Sequence, residues 1–138
     1  MNYFGYDWIE HFYPALKMFL AGGNPCSIAY AAHAPWLFVL LAPLSLLPPL
    51  AGAVAMGVIN AGSMALLCRR YKCLHLFPLL LLSYPFFAMV QWGQVDGLVL
   101  LGLAFPGPWG LPLLLIKPQV AGAVGALWVY RAVREKGW

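Results

Sequence analysis

Apolar residues recur at helical spacing from Asp7 to Gly22, where Trp8, Phe12, Leu16 and Phe19 share one side and Asp7, Glu10, His11, Pro14 and Lys17 the other. The pattern predicts an amphipathic helix, too short to span a bilayer, lying in the membrane interface. Pro14 either kinks it or marks its true start. Gly22-Gly23-Asn24-Pro25 ends it.

From Ala34 to Leu67 the chain runs 34 residues without a charge, too long for one crossing. The double proline Pro48-Pro49 divides it into a short piece, Trp36 to Leu47, and a second piece, Leu50 to Leu67. The second is rich in small residues (Ala51, Gly52, Ala53, Ala55, Gly57, Ala61, Gly62), which let helices approach closely in lipid. A third span is expected from Leu74 to Val90, then a Gln- and Gly-rich turn, Gln91 to Gly97, and a fourth apolar run to Phe105 before Pro106-Gly107-Pro108. Trp109 to Tyr130 has the length of one span, but Lys117-Pro118-Gln119 sits near its middle. A lysine at mid-bilayer is costly and the proline removes a backbone hydrogen bond, so two short helices meeting at Lys117 are predicted. Such breaks are tolerated where they line a cavity.

Composition sharpens this. With 63% hydrophobic and 9% charged residues, the chain has too few polar side chains to cover a water-soluble fold, for which about 25% charged is usual. The same figures exclude disorder. The expectation is an all-α polytopic membrane helical bundle of about four to six spans. It forms a single membrane domain, with the interfacial helix over 7–22 and the membrane helices over 34–131. The net charge of +4 comes largely from two clusters, Arg69, Arg70, Lys72 and Arg131, Arg134, Lys136. They flank apolar runs, as positive charge does at the cytoplasmic ends of spans, and do not read as a nucleic-acid surface. If both clusters are cytoplasmic, Gln94 and Asp96 lie outside, and one piece before Arg69 must be re-entrant for Asp7 to lie outside too. Cys26, Cys68 and Cys73 form neither a disulfide framework nor a zinc pattern and read as small hydrophobes. The amino terminus lacks the basic and apolar regions of a signal peptide, so no leader is expected to be removed.

Among polar residues, Asp96 and Lys117 stand inside otherwise apolar runs. Either they belong to an outward-facing cavity in which Gln94 and Asp96 bind hydroxyls and Lys117 meets an anion, or they pair to hold two helices together. Gln91 and Gln94 add polar capacity that helix pairing does not need. Trp92, inside the turn, is a candidate for stacking on a ligand. Asp7 and His11, at i and i+4, could act as an acid/base pair with Glu10 beside them, or form a solvated helix face. His33 and His75 read as structural, and Trp36, Trp109, Trp128 and Trp138 as interfacial anchors. No phosphate-binding glycine loop, Ser/His/Asp set or metal cluster is present, so no cofactor is indicated; a divalent metal stays possible in principle.

Four motifs occur in a suggestive order: Asp7 followed by Tyr13-Pro14-Ala15 and Gly22-Gly23-Asn24-Pro25; Pro35-Trp36 with Pro43-Leu44; Gly93-Gln94-Val95-Asp96; and Ile116-Lys117-Pro118-Gln119. In this order they resemble glycosyltransferase family 87, polytopic C-type membrane glycosyltransferases that take sugar from a polyprenyl-phosphate carrier. The resemblance implies that Asp7 occupies the catalytic acidic position. It also implies that Gln94 and Lys117, which match the family's Gly-Gln and Lys-Pro motifs, lie at the donor site, with Lys117 neutralising the phosphate leaving group; Asp96, Gln119, Gln91 and Trp92, beside them in sequence, are further candidates for binding substrate. It further implies a polyprenyl-phosphate-linked sugar as donor, a glycan or glycolipid as acceptor, and a multi-pass place in the plasma (inner) membrane. Cys26 stands where a tyrosine commonly follows Asn-Pro, Ala34-Pro35 replaces a double proline, and family members are longer. A fragment or a reduced member is therefore expected, as is, alternatively, a non-catalytic membrane subunit.

Overall fold

The computed structural model describes residues 4–28 and 34–136; His33 and Trp138 lie outside the described residues. Among the described residues the regular secondary structure is all helical, with no strand, and the helices are joined by short turns. A π-helical turn, Trp8–Phe12, leads into α1 (Tyr13–Leu20). Then follow α2 (Pro35–Leu41), which tightens into a 3-10 turn at Ala42–Leu46, and the long α3 (Pro49–Arg70). The rest are α4 (Phe77–Leu81), α5 (Tyr84–Trp92), α6 (Asp96–Ala104), α7 (Leu111–Leu114) and α8 (Pro118–Lys136).

Proline sets most of these boundaries. Every α-helix except α6 has a proline at its first or second position, where its fixed φ suits the helix and its missing N–H costs nothing. Pro14 thus opens α1. The run expected as a third span, Leu74 to Val90, is broken by the same device: Pro85 opens α5 behind an extended Ser83, and Leu74–Leu81 and Tyr84–Trp92 meet at 65°. The fourth run is only the nine residues Asp96–Ala104. The break at Lys117 separates α7, four residues long, from α8, which is longer than the short helix expected there. In place of about four to six spans, one helix among the described residues, Pro49–Arg70, is long and apolar enough to cross a membrane, or two if the bent pair is one span.

α3 is the axis. Its 22 residues rise about 33 Å at 1.5 Å each, enough to cross a hydrocarbon layer of about 30 Å. α5, α6 and the amino-terminal turn pack on it. Gly52 lets the Trp8 indole lie on the helix, since a Cβ there would come within 2.5 Å of Trp8 Nε1. Gly62, by contrast, faces open space, so the small-residue run is a packing surface over only part of its length. The apolar side of Trp8 to Leu20 is not left for lipid. Trp8, Phe12 and Leu16 are buried with Leu37, Phe38, Met56, Val95 and Leu114 in the core, because α2 and α3 cover that face. The outer surface is itself apolar, with Leu50, Val54 and Val58 of α3 and Leu79, Leu82 and Phe87 of the bent pair all exposed.

Candidate functional site

The amino-terminal segment is anchored before its helix begins. Gly5 takes a positive φ of 74°, donates its N–H to the carbonyl of Gln91 at 2.6 Å, and sits so close to Ala53 that a Cβ would come within 2.5 Å of the alanine methyl. Only glycine fits both conditions. The chain then enters the π-helical turn, closed by the Tyr13 N–H on the Trp8 carbonyl, a rare geometry that often marks functional sites. Asp7 stands at its start and His11 one turn on.

A second element meets Asp7 from α5. This helix ends in a Schellman motif: Gly93, at φ 69°, donates to the Val90 carbonyl at 3.2 Å, and Gln94 N–H to that of Met89 at 3.0 Å. The motif delivers Gln94 immediately after the helix end. Asn60, wholly buried on α3, fastens the turn that follows. Its Nδ2 donates to the Gln94 carbonyl at 3.0 Å, and its Oδ1 accepts from the Gly97 N–H at 3.1 Å. Both functions of one amide are satisfied, which fixes its orientation. Gly97 is obligatory, since a Cβ there would fall 2.0 Å from Asn60 Oδ1 and 2.6 Å from its Cα.

The side chains then converge. Gln94 Nε2 donates to Asp7 Oδ2. Lys117 Nζ, at the break between α7 and α8, donates to Gln94 Oε1 at 2.6 Å and forms an ion pair with Asp96 Oδ1 at 2.9 Å. The Lys117 side chain is 13% exposed and that of Asp96 31%, so the pair is shielded from solvent more than a surface ion pair is. Gln94 therefore bridges a carboxylate and an ammonium through the two ends of one amide.

Two cavities open on either side of this bridge and share Trp92, Gln94 and Lys117 as their common wall. One, of about 420 Å³, adds Tyr6, Asp7, His11 and Phe12; the other, of about 410 Å³, adds Tyr84, Pro85, Ala88, Met89 and Asp96. The Tyr6 ring meets His11 and Trp92 edge-on, with centroids at 5.7 and 6.3 Å. Burial raises the Asp7 carboxyl above its ordinary value of 3.8, and Asp96 adds to this, while His11, Lys117 and the Gln94 hydrogen bond oppose it. A raised carboxyl suits a group that must accept a proton near neutrality.

Of the residues singled out in the sequence, Asp7, His11, Gln94, Asp96, Lys117 and Trp92 line this pair of cavities. Three do not. Glu10 is exposed on the π-helical turn and lines neither cavity. Gln119 is exposed on the first turn of α8, since the helix that Pro118 opens carries it past the break. Gln91 takes part through its backbone carbonyl, which holds Gly5. Asn60 and Tyr6 were missed: the signal for Asn60 was a lone amide in a run of small apolar residues, whereas Tyr6 carried none beyond its neighbour Asp7. Among the described residues, no three His, Cys, Asp or Glu side chains lie close enough to hold a metal ion. No protein-family model, curated protein or solved structure matches this chain.

Proposed function

We propose that this chain is a membrane-embedded glycosyltransferase-like protein, resembling family 87, that moves a sugar from a polyprenyl-phosphate donor to a hydroxyl of a glycan or glycolipid. The observation that carries this reading is the meeting of Asp7, Gln94 and Lys117, distant in sequence, around one amide bridge between two cavities. The apolar outer surface and the length of α3 support a place in a membrane; the plasma membrane, and a multi-pass bundle that the short helices would complete, follow from the resemblance alone.

In this mechanism Asp7 takes the proton of the acceptor hydroxyl, whose oxygen attacks the anomeric carbon as the bond from that carbon to the phosphate oxygen breaks. The electron pair leaves with polyprenyl phosphate, and Lys117 neutralises the charge that develops there. Gln94 keeps base and cation in register. The test is transfer from a polyprenyl-phosphate sugar by the protein in detergent or vesicles. Asp7→Asn is expected to slow it by about 10²- to 10⁴-fold with helical content unchanged, and Lys117→Met to slow it as well. Transfer at the wild-type rate by either variant would sink the assignment.

The ion pair of Lys117 with Asp96 favours a second reading, a non-catalytic membrane subunit in which polar residues only join helices. Under it, Asp96→Leu would loosen the bundle while no variant altered any transfer.

A further inference from the structure

At the opposite end of α3 from Gly52 and Trp8 lies a third cavity, of about 550 Å³, which the reaction proposed above does not use. Its volume falls within the range of about 300–1,000 Å³ usual for small-molecule sites. One wall is Leu66, Arg69 and Arg70 from the last turn of α3; the other includes Phe105 and Trp109, from the turn after α6. We infer that this cavity binds the phosphate of an anionic phospholipid headgroup, held by Arg69 and Arg70 with its glycerol and upper acyl chain against Phe105 and Trp109.

Charge supports this first. The chain has four carboxylate side chains, Asp7, Glu10, Asp96 and Glu135, and none of them lines the cavity or lies within ion-pair distance of Arg69 or Arg70. Lys72, exposed two residues on, adds a third cation to this end. Among the described residues no carboxylate offsets this charge, and guanidinium groups match phosphate oxygens bidentately where a lysine offers only a point charge.

The apolar wall distinguishes a lipid from a free ion. Trp109 is 86% exposed and Phe105 50%, beside a pair of arginines, so the cavity is cationic on one side and aromatic on the other. Inorganic phosphate gains nothing from the aromatic side, whereas a phospholipid covers both. The placement agrees: the rim lies where α3 would leave the bilayer, the level at which tryptophan settles and basic pockets between helices meet headgroups. The inference rests on the membrane part of the reading above and not on glycosyl transfer.

The test is titration of phosphatidylglycerol into the purified protein in a neutral detergent, with bound lipid counted by native mass spectrometry. One phosphatidylglycerol is expected to bind at least tenfold more tightly than phosphatidylcholine. The double variant Arg69→Gln, Arg70→Gln is expected to lose that preference, while Arg131→Gln, Arg134→Gln, which removes equal charge elsewhere, keeps it. Trp109→Ala leaves every charge in place and is expected to weaken binding several-fold. Equal loss in both double variants, equal affinity for phosphatidylcholine, or no effect of Trp109→Ala would overturn the site. Competition by inorganic phosphate at the concentration of the lipid would overturn the lipid as ligand. Should the Arg69, Arg70 variant lose its helical content, Trp109→Ala and the phosphatidylcholine arm still decide. Retention of the protein in alkali-washed membranes tests the membrane reading separately.

Discussion

Asp7 is held by opposing influences, and their balance has consequences that can be measured in two ways. Burial raises its carboxyl above 3.8 in the folded state, so between 3.8 and that higher value the native protein holds a proton that the unfolded chain has released. Stability from this group is therefore present at low pH and lost as pH rises through the carboxylate range. Asp7→Asn should flatten that part of the stability profile, measured by chemical denaturation at a series of pH values. A profile as steep as wild type would show that the carboxyl is not shifted. In the proposed reaction the same shift would move the acid limb of the transfer rate, because only deprotonated Asp7 could accept a proton. The limb is expected above the range of an ordinary aspartate, and a rate already half-maximal near pH 4, where an unshifted aspartate would put it, would contradict it. Lys117 depends on Asp96 in turn. Asp96→Leu leaves a largely buried ammonium with Gln94 Oε1 as its remaining partner, at a cost of about 1–3 kcal/mol once partial exposure of Asp96 is allowed for. An unchanged denaturation midpoint would mean the ion pair contributes nothing.

The elements that bring these side chains together are joined by Asn60 and two glycines. Asn60→Leu would leave the Gln94 carbonyl and the Gly97 N–H without their partner, each costing about 1–3 kcal/mol. Gly97→Ala would drive a methyl into Asn60, at about 1–3 kcal/mol or more. Both are expected to lower the thermal midpoint and to displace Gln94, so transfer should fall even where the fold survives; a variant of normal stability and normal rate would remove Asn60 from the site. How much of this was legible in the sequence follows from the kind of signal each residue left. Lys117 beside Pro118 announced a break because charge and a missing N–H are both costly in an apolar run. Pro85 had the same effect at the 65° bend, yet the Leu74 to Val90 run read as one span, since hydropathy averages over a proline. Gly93 lay in a recognised turn, but its role as a left-handed cap became definite only through its bonds to Met89 and Val90. Asn60 passed as part of a packing surface because its partners, Gln94 and Gly97, are more than thirty residues away in sequence. The apolar side of the amino-terminal helix was correctly located but given to lipid. Periodicity says which side is apolar and not what covers it.

For the whole molecule, α3 sets the distances that the membrane reading must satisfy. Gly5 and Trp8 touch Ala53 and Gly52 near its start, while Arg69 and Arg70 close its end. The 17 steps from Ala53 to Arg70 rise about 25 Å at 1.5 Å each, close to the hydrocarbon thickness of about 30 Å. If α3 spans, the Asp7 cavity and the Arg69, Arg70 cavity belong to opposite membrane faces, and the carrier-linked donor proposed above would be met on the side away from the basic turn. Charge agrees with this orientation, since clustered arginines favour the cytoplasmic side. The arrangement is testable with single cysteines, after Cys26, Cys68 and Cys73 are replaced by serine or alanine. Glu10→Cys and Lys72→Cys are both at exposed positions, one beside Asp7 and one after Arg70. A membrane-impermeant maleimide applied to sealed vesicles is expected to label one of them from outside and the other only after the vesicles are opened. Labelling of both before opening would place the two ends of α3 on the same side. The helix would then lie along the membrane or within a folded core, and the two cavities would share one aqueous phase.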